Sequence, residues 1–204
     1  MFGKTDKVFD LLQQSSEATL EVAREVDKLA RNRADKTSIM ATFAAARRRE
    51  KDIATEISEE LVNTFVTALD REDIEAMNSA LYRIPKTVEK FAERYVLIAE
   101  RLGTADFSQR TGILVNSAQV VAEMVVELRN GLHIEPMRNL RRRLQALEAE
   151  ADKLLLAPYR GLYLDTDDPM RAILMKDLFE IIEKAIDMCR DVGNIIYSIV
   201  LKNS

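Results

Sequence analysis

Two stretches in the second half of the chain space acidic side chains one helical turn apart. They are Glu148 and Asp152 in ALEAEAD, and Glu183, Asp187 and Asp191 in IIEKAIDMCRD, with Glu180 just before them. Residues four apart are neighbours on a helix, and like charges at that spacing destabilise an isolated helix by a few tenths of a kcal/mol. Two facing helices that each present an E-x-x-x-D pair could hold cations through carboxylate oxygens. Iron, zinc, manganese, magnesium and calcium are the candidate ions. A simpler reading is also open: Lys153, Lys184 and Arg190 lie in the same stretches and can neutralise these acids on a solvated face. Spacing alone favours the simpler one.

An internal repeat sharpens the question. At an offset of 101 residues, ARRREKDIATE lies over LEAEADKLLLA and LYRIPKTVEKFAERY over IEKAIDMCRDVGNII, with apolar positions such as Ile53 and Leu154, or Leu81 and Ile182, in register. The five acids fall on Arg47, Lys51, Tyr82, Lys86 and Lys90, so four of them become bases. A cation held in the second half could not be held at the equivalent place in the first. The cluster Arg47, Lys51, Lys86 and Lys90 would attract phosphate, acidic side chains or the acidic half of another molecule, or would pair with Glu50, Glu89 and Glu93.

Other chemistry has little to stand on. His133 is the lone histidine and falls in a connection, which excludes the E-x-x-H ligand pairs of ferritin-like di-iron proteins. No Ser-His-Asp set, glycine-rich phosphate loop or G-x-S-x-G elbow occurs, so the chain does not read as an enzyme. Cys189 has no second cysteine with which to form a disulfide and reads as small core filler. The arginine runs 47–49 and 141–143 do not form patches, because consecutive helical residues point about 100° apart, and no aromatics interleave them. With a formal charge of −4, nucleic acid is not an expected partner.

The elements that must position these residues follow from composition. The chain is 47% hydrophobic and 31% charged, with 6 Gly and 4 Pro. That composition favours an all-α fold. Apolar spacing and breakers predict six helices: about Asp6 to Arg31, Lys36 to Phe65, a long one after N-cap Asp70 to about Leu102, Phe107 to Arg129, one reaching about Ala157 before Pro158, and Pro169 to about Lys202. Pro85 should kink or break the third helix near Leu81 to Ile84, and Gly131 suits a left-handed C-cap. Short connections and the repeat suggest two three-helix bundles related by a pseudo-twofold, residues 1–103 and 104–204. No segment approaches the ~20 uncharged apolar residues of a membrane span, and the start has no signal-type apolar run. A cytoplasmic protein is expected.

At NTFVTALDREDIEAMNSAL the sequence resembles the PhoU-like family, in the branch that accompanies Pit-type inorganic phosphate transporters. The segment from Thr67 to Ile74 carries the likeness, as do LEAEADKLL and the ending EIIEKAIDMCRDVGNIIYSIVLKNS. The resemblance implies two three-helix bundles and multinuclear metal sites on E/D-x-x-x-D motifs. Glu148, Asp152, Glu183, Asp187 and Asp191 match such motifs, whereas Arg47, Lys51, Tyr82, Lys86 and Lys90 stand where family members tend to carry acids. It also implies an accessory protein that docks on a membrane phosphate transporter. The alternatives are an enzyme using a carboxylate-held metal and a structural bundle forming a homo-oligomer through the apolar fourth helix.

Overall fold

A computed structural model describes residues 3–31, 36–64, 67–103, 105–164 and 168–204; side chains are described outside 3–6, 36–37 and 155–164. Six helices account for nearly all of it: α1 (Gly3–Ala30), α2 (Lys36–Asn63), α3 (Arg71–Leu102), α4 (Ser108–Asn130), α5 (Ile134–Leu164) and α6 (Pro169–Asn203).

The ends show which local signals act. Asp70 is the N-cap of α3 but makes no side-chain cap bond. Its carboxylate instead pairs with Lys202 at the far end of α6, and Lys202 also reaches Asp73 at 3.1 Å. Asp168 does cap α6, accepting from the Arg171 amide at 3.0 Å, with Pro169 in the first turn. Gly131 ends α4 at φ 149° and ψ 175°, a positive-φ extended conformation rather than the expected left-handed helical one. That φ strains any residue with a side chain, and an added Cβ would also push aside the exposed His133 ring 2.9 Å away.

Prolines interrupt less than expected. α3 runs unbroken through Pro85, whose ring is buried, and α5 continues past Pro158 to Leu164. A proline removes one ladder bond and crowds the preceding turn. Within helices of 32 and 31 residues, the other ladder bonds carry the chain across.

The helices pack as two triads. α1, α2 and α3 contact one another, as do α4, α5 and α6; the triads meet through α1 on α4 and α3 on α6. α2 and α5 do not touch, so α2, α3, α6 and α5 form a row in that order, with α1 and α4 packed beneath it. Both central pairs are antiparallel. Arg129 near the end of α4 reaches Asp10 and Gln13 near the start of α1, while Thr111 bonds Asp27. At one place the symmetry is explicit: the Thr87 hydroxyl contacts the Met188 sulfur at 3.4 Å, and these residues are 101 apart. The pseudo-twofold axis passes between them.

One core connects the triads. Phe91, Tyr95, Phe107 and Phe179 stack or meet edge to face with centroids 5.0–5.7 Å apart, a geometry that adds to their burial. Cys189 is wholly buried, and burial pushes its thiol up to about 12. α4 is long and apolar enough to cross a bilayer by length and composition alone, yet 61% of its most apolar stretch is buried inside the molecule. Its Val and Ala residues fill the space between α1, α5 and α6. The apolar face offered above for a homo-oligomer is therefore covered from within, and Val126 is the large apolar side chain of α4 that stands exposed.

Candidate functional site: two charged grooves of opposite sign

The groove between α5 and α6 gathers the predicted acids around a cation. Arg190 pairs with Glu148 of α5 and reaches Asp187 at 3.0 Å and Asp191 at 3.1 Å. Glu183 lies one turn before Asp187, and Asp152 one turn beyond Glu148. Partial burial, then the negative field of Asp187, Asp152, Glu180 and Glu148, raises the Glu183 carboxyl above its ordinary value. Burial also raises Asp187, against the opposing pull of Arg190. Acids from both helices thus feel one another, and one guanidinium lies in their midst.

For a metal ion the donor chemistry fits, since an all-oxygen set suits hard cations. The arrangement is less suited: among the described residues no three His, Cys, Asp or Glu side chains converge closely enough to hold an ion. Arg190 fills that role for Glu148, Asp187 and Asp191.

The matching groove between α2 and α3 is its electrical inverse. Arg47 Nε lies 3.2 Å from Glu89, its Nη2 donates to the Tyr82 hydroxyl at 3.2 Å, and its guanidinium sits 4.8 Å from the Tyr82 ring centroid. Residues 47 and 148 are repeat mates, and so are 89 and 190. The Arg47–Glu89 and Glu148–Arg190 bridges therefore join the same two places in each triad with the polarity exchanged. Lys51, Lys86 and Lys90 are exposed and make no ion pair among the described residues. Of their suggested acidic partners, Glu93 is exposed and Glu50 turns inward.

Glu50, expected as an ion-pair partner of the basic cluster, is buried instead. It is 1% exposed and accepts from Ser15 Oγ at 2.5 Å, and its other oxygen has no partner among the described residues. Burial pushes its carboxyl up to about 7, with Ser15, Arg47 and Arg49 acting in the opposite direction. Ser15, Ser16 and Thr19 on α1 make this stripe polar inside the core. The serine pair at 15–16 was its visible sequence signal. The bridge between Glu148 and Arg190 was also legible, because position 190 falls on an acid when the offset is applied.

His133 is exposed, with Nδ1 3.0 Å from a Glu127 oxygen, and serves the α4–α5 connection. Arg141 lies over the Tyr197 ring and bonds Asn194 at 2.9 Å, while Arg143 pairs with Glu123. The second arginine run is dispersed among different partners.

Known proteins of this architecture exist. A PhoU-like protein from Shewanella oneidensis MR-1 superposes with a TM-score of 0.82 at 13% identity, covering 96% of this chain and 99% of that one. A second PhoU-like structure from the same organism gives 0.82 at 14% identity. The fold is PhoU-like. Among curated sequences, the "Putative pit accessory protein" of Rhizobium meliloti is 24% identical over 210 residues, spanning 100% of this chain and 96% of that protein. The UPF0111 protein YkaA of Bacillus subtilis is 21% identical over 145 residues, 71% of this chain and 70% of YkaA. No protein-family model matches the chain.

Proposed function

We propose that this PhoU-like chain is an accessory regulator of inorganic phosphate transport that docks on a Pit-type transporter at the cytoplasmic face of the membrane. The observation that carries the reading is the end-to-end likeness to the pit accessory protein, which spans 100% of this chain and 96% of that relative. The architecture agrees with a docking role. Long amphipathic helices bury one shared core and leave broad charged faces, and the charged clusters lie on those faces rather than in a closed cavity. The protein works by binding a partner and not by catalysis.

Deleting the chain's gene should change phosphate uptake through the Pit transporter, and affinity capture of the chain from native membranes should recover that transporter. Unaltered uptake together with capture that lacks the transporter would overturn the reading.

A metal-linked form of this regulation is the second reading, favoured by the raised Glu183 and Asp187 carboxyls. Glu148, Asp152, Glu183, Asp187 and Asp191 would hold the ion, with Arg190 displaced from among them. Elemental analysis after loading with iron, zinc, manganese, magnesium or calcium checks it. Metal retained by the native chain and lost from Glu183→Gln/Asp187→Asn supports it, and metal absent from both ends it.

A further inference from the structure

The two inverse grooves open on the same side of the molecule. On α3, Thr87 points to α6 and Glu89 to α2, so Lys86 and Lys90 lie between those directions, away from α1. On α6, Met188 points to α3 and Arg190 to α5, which leaves Asp187 and Asp191 in the matching place. The outer face of the α2–α3–α6–α5 row is thus basic over one half and acidic over the other, with the pseudo-twofold at its centre.

We propose that this face is self-complementary and docks on a second copy of the chain as a twofold dimer. Charge and level together fix the arrangement. A twofold axis lying in the face and parallel to α3 and α6 places α3 of one copy over α6 of the other without shifting its height. Because Thr87 and Met188 are level, Lys86 then meets the turn carrying Asp187 and Asp191, and Lys90 lies within a turn of Asp187. The same operation sets Arg83 level with Asp191. Lys184 falls between Lys90, which repels it, and Glu93, which attracts it. An in-plane axis across the helices would instead set bases on bases and acids on acids. The charge pattern therefore selects one geometry by repulsion as well as attraction.

Pairing of exposed charges contributes modestly per pair and is screened by salt. The dimer should accordingly be weak and salt-dependent. Sedimentation velocity with EDTA present, which excludes metal bridging, should show a dimer at low ionic strength whose dissociation constant rises roughly tenfold or more between ~0.05 and ~0.5 M salt. Lys86→Glu/Lys90→Glu and Asp187→Lys/Asp191→Lys should each be monomeric with unchanged far-UV circular dichroism. Mixed one to one, they should form a heterodimer, since one variant carries acids on both halves and the other bases on both. A wild type that stays monomeric at low salt overturns the proposal. So does a dimer indifferent to salt, or a mixture of folded variants that fails to associate.

Discussion

Glu50 shows how a single residue can set the pH response of a helical bundle. Its carboxyl is raised to about 7 in the folded chain against 4.5 for a free side chain. Between those values the folded state binds the proton that the unfolded state has released, so stability falls as pH rises through that window and is level on either side. Glu50→Gln keeps an acceptor for Ser15 and removes the ionisation. Denaturant unfolding should find the variant near wild type at pH 4 and more stable at pH 8, by up to about 3 kcal/mol. Equal pH dependence in both proteins would mean that Glu50 ionises without penalty. The sequence disclosed the character of this residue poorly. Its neighbours Arg48, Arg49 and Lys51 are exposed, and a single glutamate in a basic run reads as a surface ion-pair partner. Its place on the apolar stripe of α2, seven residues from both Phe43 and Ile57 and three before Ile53, marks it as inward, as do the α1 serines opposite.

At the scale of elements, the six helices were legible because apolar periodicity and a few breakers mark them plainly. The expected helix ends at the prolines were not, since α3 continues through Pro85 and α5 past Pro158. The repeat carried more than its faint identity suggested: mates 87 and 188 touch, and two ion pairs recur at mated positions with opposite polarity. Arg190 is the element that makes the α5–α6 groove tolerable. Arg190→Gln should lower stability by roughly 1 to 2 kcal/mol at low ionic strength, and added salt should recover part of the loss by screening the carboxylates. A deficit insensitive to salt would show that the side chain acts through packing alone. Gly193 marks a close approach of α6 to α5 and α4, because an added Cβ would lie 2.3 Å from Leu144 Cδ1 and 3.2 Å from Met124 Sδ. Leu144 is buried and has little room to yield. Gly193→Ala should cost about 1 to 3 kcal/mol through overpacking, read as a lowered unfolding midpoint with an unchanged slope.

Across the whole molecule, the triads are held by two antiparallel helix pairs and by ties at the ends of one of them. Lys202 bridges Asp70 and Asp73 at one end of the α3–α6 pair, and Arg171 donates to the Leu102 carbonyl at 3.0 Å at the other. Because Lys202 is solvent-exposed, Lys202→Ala should leave the unfolding midpoint within error. Its effect belongs to local opening: amide exchange in the first turns of α3, including Ile74, should accelerate. Exchange unchanged at those amides would show that packing alone anchors this end.

The apolar helix α4 is covered on one side by α1 and on the other by α5 and α6. The α1 residues that bond α4, such as Arg31 to Ser108 and Asp27 to Thr111, precede it by 77 and 84 residues. α5 and α6 follow it. During synthesis, then, half of the shelter for this membrane-like stretch has left the ribosome before the stretch appears, and half arrives afterwards. Of the three helices that cover α4, α1 is the one able to shelter its apolar side chains while α5 and α6 are still to be made.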